Sequence, residues 1–407
     1  MAADLTFDRF GADNLDDPYP LYRRLRAEQP VFYSAEFDVW VVSRYDHVLR
    51  VLMDPTRFSS AFPVRTPAVP APGVPTILAE GRPEVPALVN EDPPEHRRTR
   101  DLVAKVFSAR RIAGLQPQVT ELVSELLDGI EPRGRVDLVA EFARPLALRA
   151  ICTLLGLPGW DVARIEEWTG QLARLTACGA TADEQRAAAW ESVEFERYLA
   201  AAVGGRRAAG RDDLLTDLVR VRAGDTAPLT DAEIVSLAIS LVLAGHGTTA
   251  DLLASALVLL LHRPQLWAAA GDQPELVSAV VEETLRIDAP VQGAYRRAVF
   301  DVQISGVTIP AGARVFALFA SANRDGAAFD RPEEFDPGRP DRERHLAFGR
   351  GIHYCLGASL GKLEAELAVA ELARRFPRLA LVDGQKLTFH PNISFRGPQA
   401  LWVRATP

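Results

Sequence analysis

Four stretches of this 407-residue chain hold residue types at spacings that could do chemistry. The densest reads Phe348-Gly349-Arg350-Gly351-Ile352-His353-Tyr354-Cys355-Leu356-Gly357. Glycines at 349, 351 and 357 let a tight loop approach something flat and bulky, because no side chain stands in the way. Cys355 stands directly before a segment of helical spacing, where the positive end of the helix dipole and open amides stabilise a thiolate. Two other readings compete here. One is an inert buried cysteine in a Gly-rich turn. The other is zinc held by His345, His353 and Cys355, which lacks paired ligand spacing and a fourth ligand.

The second stretch, Ala244-Gly245-His246-Gly247-Thr248-Thr249, falls inside a long apolar run. A mid-helix glycine costs up to ~1 kcal/mol against alanine, so two of them ask for a reason. The third, Glu283-Thr284-Leu285-Arg286, places a carboxylate and a guanidinium at i, i+3, which on its own is a solvated helix pair. The fourth runs Asp92-Pro93-Pro94-Glu95-His96-Arg97-Arg98-Thr99-Arg100, with His96 and Arg100 one helical turn apart on one face.

The elements that must position these stretches are mostly helical. Periodicity predicts helices over 18–28, 48–53, 98–107, 119–130, 146–155, 161–176, 187–203, 274–287 and 356–376. The longest begins after Leu229, where Thr230 and Glu233 form a capping box, and ends before His262-Arg263-Pro264. Roughly thirty residues at ~1.5 Å each make it about 45 Å long. Strands are expected at 31–33, 39–42, 298–304, 307–309 and 315–320, with Ser305-Gly306 as a hairpin turn, and again between 379 and 403. Residues 323–344 read as irregular. Residues 61–94 are crowded with prolines, and taken alone they read as a linker or loop. The expected fold is mainly α, with a minor β region from both chain ends, in one domain over 1–407.

Composition narrows the class. A net charge of −8, from 46 basic and 54 acidic side chains, argues against a nucleic-acid binder. Residues 1–11 have no apolar run, so no secretory signal is expected. Cys152, Cys178 and Cys355 offer no disulfide framework, which suits a reducing cytoplasm. Cys152, among Leu148, Ile151, Leu154 and Leu155, reads as a buried inert thiol; Cys178 carries no signal. Residues 234–261 could be mistaken for a membrane span, but Gly245 to Thr249 and Asp251 interrupt them, and a core helix with a functional notch explains them better.

The cysteine loop resembles that of the cytochrome P-450 superfamily in its soluble bacterial branch, and the resemblance covers essentially the whole chain. It implies haem b with Cys355 as axial thiolate, cradled by Phe348, Gly349 and Gly357. A thiolate pushes electron density onto haem iron and favours O–O cleavage. Glu283 and Arg286, with Arg339 in Phe335-Asp336-Pro337-Gly338-Arg339, resemble the buried network behind the haem. His96, Arg100, Arg296 and His353 match the propionate contacts, for which charge-assisted bonds are suited. Ala244 to Thr249 resembles the oxygen-activating groove, where the helix is expected to open for O2 and water, and Thr248 matches the threonine that relays protons. The stretch 59–90 matches the loop over the distal pocket, displacing the linker reading. By position, the pocket is lined by Leu88, Val89, Leu243, Ala244, Val291, Gly293, Ala294, Ile393 and Phe395, mostly apolar. Arg65 and Arg396 could meet a carboxylate, although both residue types are more often solvent-facing.

The resemblance implies a mono-oxygenase that hydroxylates, or oxidatively dealkylates, an apolar small molecule with O2. Electrons would come from a separate small acidic ferredoxin, or a flavodoxin. Arg97, Arg98, Lys105, Arg110, Arg111, Arg350 and Lys362 would form a positive patch steering that partner. No membrane is implied. The chain departs from the pattern at Gly247, where the family has Asp or Glu before the threonine. Protons must then come through His246, Asp251, the substrate, or ordered water in the Gly247 gap acting with Thr248 and Thr249. The last is the working hypothesis, and His246 at its position reads first as structural. A peroxide-driven enzyme and a non-catalytic haem module that recruits or senses remain as alternatives.

Overall fold

The computed structural model describes residues 7–61, 70–82, 85, 86, 88–130, 134–175, 180–222, 224 and 226–405. Two compact units interleave along the chain: Met1–Ser60, Val119–Leu146 and Thr248–Pro407 form one, Ala61–Gln118 and Ala147–Gly247 the other. Arg65 and Cys178 lie outside the described residues.

The first unit is built on a five-stranded sheet. Val31–Ser34 and Val39–Val42 form an antiparallel hairpin, with Val31 opposite Val42 and Tyr33 opposite Trp40. Val39–Val42 then pairs in parallel with Arg314–Ala317, which pairs antiparallel with Ala294–Ala298, and Phe58–Ser59 closes the far edge. Val39, Val41 and Val42 are all fully buried, as a strand covered on both faces must be. Beneath the sheet, Val48, Val51 and Leu52 of the helix Tyr45–Met53 pack with Val31, Phe58 and Val315. A second hairpin, Val302–Ile304 with Val307–Ile309, turns through Ser305 and Gly306 at φ of 53° and 79°. Two positive φ values in succession are what a tight primed turn demands, so the Ser-Gly signal had a backbone cause. A third small sheet places Trp402–Arg404 between Arg135–Asp137 and Ala380–Leu381. In the same unit the helices Pro274–Ile287 and Ala358–Arg375 pack on each other.

The second unit is helical. Ala182–Ala208 opens on a capping box in which the Thr181 amide donates to Glu184 at 2.8 Å, and the Glu184 amide donates to the Thr181 hydroxyl at 3.3 Å. It packs on Val162–Leu175, with Trp168 stacked over Phe195 at 5.3 Å. Buried Arg206, near its end, pairs with buried Asp213 at 2.9 Å and donates to the Gly156 carbonyl at 2.6 Å. Here the proline-rich segment finds its place. It contains the helix Val74–Leu78 and a turn of 3₁₀ helix at Leu88–Asn90. Val74 and Ile77 are buried against Ala189 and Val193 of the long helix, and the Ala71 amide donates to Gln185 at 2.9 Å. A segment with its own apolar staple is not a linker.

One helix, Asp231–Leu261, begins in the second unit and ends in the first. Its capping box is formed as read: the Thr230 amide donates to Glu233 at 2.7 Å and the Glu233 amide to the Thr230 hydroxyl at 3.2 Å. Among the described residues it is the one helix long and apolar enough to cross a bilayer. It continues unbroken through Gly245 and Gly247, so the expected opening is not a break in the helix. Elsewhere the sequence reading needs correction: the strand expected over 298–304 is divided between Ala294–Ala298 and Val302–Ile304, and the one over 315–320 stops at Ala317, before the helix Phe319–Ala322. The 379–403 tail is strand only at its ends, because Pro391 and Pro398 withdraw amides from any ladder. The short helices Ala109–Gly114, Leu214–Arg220 and Pro264–Ala270 hold too few turns to show a period.

Candidate functional site

In the first unit the cysteine loop is a chain of tight turns. The Gly349 amide donates to the Leu346 carbonyl at 2.8 Å, the Tyr354 amide to Gly351 at 3.1 Å, and the Cys355 amide to Phe348 at 2.9 Å. Gly349 and Gly351 take φ of 68° and 73°, a region that glycine enters without steric cost. Gly351 has a second reason: a Cβ there would stand 2.6 Å from the Leu52 carbonyl oxygen. At Gly357, just before the helix Ala358–Arg375, the nearest atom to a Cβ would be the Cys355 sulfur, at 4.0 Å. No side chain from that position crowds the sulfur. Phe348 anchors the loop by packing with Leu252, Val281, Leu285 and Ala365.

Cys355 is half-buried, and no disulfide joins it to Cys152. Cys152 is buried, and burial pushes its thiol up to about 12, as an inert core thiol requires. Among the described residues, no group of three or more His, Cys, Asp or Glu could hold a bare metal ion, which removes the zinc reading there. A single half-buried sulfur at the mouth of a glycine loop suits a metal that brings its other ligands in a flat macrocycle.

Behind the loop, Glu283, Arg286 and Arg339 meet in one buried network. Arg286 donates to both Glu283 oxygens, at 2.8 and 2.7 Å, and Arg339 Nε donates to Oε1 at 3.0 Å. The remaining guanidinium hydrogens go to the carbonyls of Asn323, Pro332 and Glu334 from Arg286, and of Asp330, Arg331 and Glu334 from Arg339. The irregular 323–344 segment is therefore held by two arginines instead of by a ladder. Sequence reasoning missed the trio next to it. Glu282 accepts from His345 at 3.0 Å and from Lys362 at 2.7 Å. Burial would raise the Glu282 carboxyl, but those two donors outweigh it and hold it at about 2. The Ala347 amide donates to His345 Nδ1, so His345 carries its proton on Nε2, toward Glu282. The signal was the paired Glu282-Glu283, of which only the second was read.

Arg296, in Ala294–Ala298, is buried, and it donates to the Tyr295 carbonyl at 2.7 Å. His353 ends the 3₁₀ turn Gly351–His353, half-buried. Among the pocket candidates of this unit, a bridge pairs Val291 with Phe395, and the Gln292 amide donates to the Ser394 carbonyl at 2.8 Å. Ile393 is buried, Ala294 half-buried and Phe395 exposed. Gly293 has a packing cause: a Cβ would stand 2.5 Å from the Ala317 carbonyl. Arg396 neither faces solvent nor waits for a ligand. It binds Asp288 at 3.2 Å and the Leu15 and Asp16 carbonyls, and it stacks over Phe389 at 3.7 Å.

In the second unit, the helix Glu95–Val106 begins three residues earlier than its periodicity suggested, so both His96 and Arg100 are helical and share a face. His96 is buried and Arg100 half-buried. Leu88 and Val89 start the 3₁₀ turn, with Val89 exposed. On the long helix, Leu243 and Ala244 are exposed and residues 245–248 half-buried, although the turns on either side are mostly buried. Of the two glycines, a Cβ at Gly245 would meet Ile151 at ordinary contact distance, 3.4 Å from its Cγ1; at Gly247 nothing lies within 4 Å. His246 Nδ1 donates to the Val242 carbonyl at 3.1 Å, one turn back. Thr249 is buried, its hydroxyl 3.5 Å from where a Gly361 Cβ would stand on the cysteine helix.

The basic residues read as a patch are largely matched at home. Arg98 pairs with Glu233, Arg111 with Asp217 and with Asp212 at 3.3 Å, Lys362 with Glu282, and Arg97 with Asp101 at 3.9 Å. Lys105, Arg110 and Arg350 have no such ion pair among the described residues, which leaves a weaker field than the raw count of cations suggested.

Comparison with known proteins agrees with this geometry. The family model described as cytochrome P450 matches residues 271–396, the span from the Glu283 helix through the cysteine loop. The cytochrome P450 monooxygenase PikC of Streptomyces venezuelae is 39% identical over 98% of this chain and 94% of its own length. The mycinamicin IV hydroxylase/epoxidase of Micromonospora griseorubida is 38% identical over 94% of each chain. The solved structure of the cytochrome P450 CREJ in complex with (4-ethylphenyl) dihydrogen phosphate superposes with a TM-score of 0.90 at 34% identity, covering 96% of this chain and 98% of that one.

Proposed function

The chain belongs to the cytochrome P450 family of haem-thiolate mono-oxygenases, and we propose that Cys355 is its axial thiolate and an apolar organic molecule its substrate. The observation that carries the assignment is the half-buried Cys355 sulfur in a loop of left-handed glycines. When bound, the haem would supply the binding and cleavage of O2, with the thiolate donating electron density to iron. His96, Arg100, Arg296 and His353 would hold its propionates, and Phe348, Gly349 and Gly357 would shape the sulfur side. Ala244 and Gly245 would lie along the oxygen side.

The chain's own groups then orient the substrate and move protons. Ala294, Ile393 and Phe395 of the first unit would give the substrate apolar surface and leave its orientation to shape. Thr248 would pass protons toward oxygen, and water beside Gly247 would take the place of the absent acid. The open space at Gly247 supports that reading. The relatives' names differ in what they act on, so the lining alone defines the substrate class. The reaction is hydroxylation, or the dealkylation that follows it, with electrons from a separate small acidic ferredoxin or a flavodoxin. Cys152 and Cys355, which form no disulfide, support a reducing, cytoplasmic setting. Three helices cross the boundary between the two units, which supports residues 1–407 acting as one domain.

The carbon-monoxide difference spectrum of the dithionite-reduced protein tests the assignment. A strongly red-shifted Soret band in the wild type, lost in Cys355→His, is the expected result. A histidine-type band in fresh wild-type protein would refute thiolate ligation, and the absence of any haem band in haem-supplied protein would refute the reading entirely.

A further inference from the structure

Cleaving O2 so that one atom enters the substrate consumes two electrons and two protons, the second oxygen leaving as water. The electrons come from the redox partner; the protons need a carrier, and position 247 has no side chain to be one. We propose that Asp251, one turn along the same helix, is the proton donor for this site, delivering through water beside Gly247 to Thr248. The inference rests on the mono-oxygenase reading and deepens it.

Residues four apart lie on one helix face, so Asp251 and Gly247 share a face, and at Gly247 a Cβ would meet no atom within 4 Å. In the proposed relay, water in that open space links the carboxyl to the Thr248 hydroxyl. The Asp251 carboxyl itself is packed against the chain at Gly397. A Cβ on Gly397 would overlap its carboxyl group, so the glycine at 397 makes room for Asp251 and holds it in place. The charged groups around it come from three elements. Arg144, exposed at the start of Arg144–Leu155, draws the Asp251 carboxyl down; Asp288, just past Pro274–Ile287, pushes it up. Arg396 and His390 lie on the segment that carries Gly397. Asp288 is already claimed by Tyr19, by Ser255 at 3.1 Å and by Arg396 at 3.2 Å, so it is held as an acceptor. Asp251 is not so held: burial pushes it up to about 7, leaving it part protonated at neutral pH. A carboxyl in that range both gives and regains a proton, as a relay must.

The step balances simply. The O–H bond of Asp251 breaks, its proton passes to the water and on to Thr248, and the carboxylate then takes a proton back from solvent. Two such deliveries meet the demand of one turnover.

The test compares Asp251→Asn, which keeps size and packing, with the double variant Gly247→Glu/Asp251→Asn, in haem-loaded protein with an electron source. Asp251→Asn should leave the carbon-monoxide spectrum and the rate of first reduction unchanged. Product per electron should fall on the order of 10²-fold, the range of general-acid effects, and its pH dependence around neutrality should flatten. Adding Glu at 247, where space is open, should restore most of the coupling, a rescue that a merely structural role for Asp251 would not show. Independently of turnover, infrared difference spectra of the resting protein should show a carboxyl band that titrates near neutral pH and is missing in Asp251→Asn. Coupling in Asp251→Asn equal to wild type, or a double variant no better than the single, would overturn the inference, as would an Asp251 carboxyl ionised from acid pH upward. If the wild type itself consumed no O2 with electrons supplied, the mono-oxygenase reading would fall first, and this inference with it.

Discussion

Replacing Arg339 by alanine cuts into the most deeply buried charge network of the first unit, and its hydrogen bonds set the size of the loss. Arg339 gives one bond to Glu283 and three to the carbonyls of Asp330, Arg331 and Glu334. Removing one partner of a buried ion pair costs roughly 3–5 kcal/mol, because the other charge is left poorly compensated. Glu283 would still hold both forked bonds from Arg286 and the Asp336 amide at 3.0 Å. Arg339→Ala therefore belongs at the low end, about 3 kcal/mol. Arg286→Ala removes the fork itself and three carbonyl bonds, and it belongs near 5 kcal/mol on the same scale. The double variant should lose less than the sum, since both arginines act on the one Glu283 carboxylate and their losses are not independent. Guanidinium unfolding of the haem-loaded protein, followed by tryptophan fluorescence and the Soret band together, measures all three. If Arg339→Ala lay within 1 kcal/mol of wild type, or cost more than Arg286→Ala, the network would not be what holds 323–344 in place.

Three further outcomes are expected. Gly351→Ala combines a left-handed backbone with a Cβ 2.6 Å from the Leu52 carbonyl, whereas Gly384→Ala, at φ of 71° with nothing within 4 Å, has only the backbone penalty; the first should cost ~1–3 kcal/mol and lower haem content, the second ~1 kcal/mol with haem content unchanged, as denaturation midpoints and haem absorbance would show. Glu364 is fully buried, and burial alone raises its carboxyl well above 4.5. The unfolded chain ionises it first, so stability falls as pH rises above 4.5, by up to ~1.4 kcal/mol per unit until the folded group also ionises; Glu364→Met should thus gain more at pH 8 than at pH 5, and equal gains in urea titrations would refute the shift. Arg110→Glu should slow reduction by an acidic ferredoxin at low salt, with the difference shrinking as salt rises, whereas Arg111→Glu, whose charge Asp212 and Asp217 already hold, should chiefly alter stability.

What the sequence made legible was whatever depends on local spacing. The capping box at Thr230 and Glu233, the Ser305-Gly306 turn and the helix Pro274–Ile287 follow from residues within a few positions of one another, and each stands where its pattern put it. The proline-rich stretch was opaque for the opposite reason, because the partners of Val74 and Ile77 lie more than a hundred residues away, on Ala182–Ala208. The same distance effect misled the reading of charge. Arg98, Arg111, Lys362 and Arg396 look alike in a sequence, and only their far partners show that each is already engaged.

The glycines carry this argument furthest. In one helix, Gly245 and Gly247 look equivalent, and a motif reading gives them one shared purpose, to open the helix. Their surroundings differ: a Cβ at 245 would rest against Ile151 at contact distance, whereas one at 247 would face open space. A methyl group fits at either, but only a glycine facing open space accepts a longer side chain without a clash. Sterics alone therefore do not require glycine at 247, and a carboxylate could stand there without displacing anything. If protons reached this groove only through an acid at 247, the chain would lack a relay that its backbone leaves room to build. With Asp251 one turn along on the same helix face, the proposed groove needs water at 247 more than it needs a second acid.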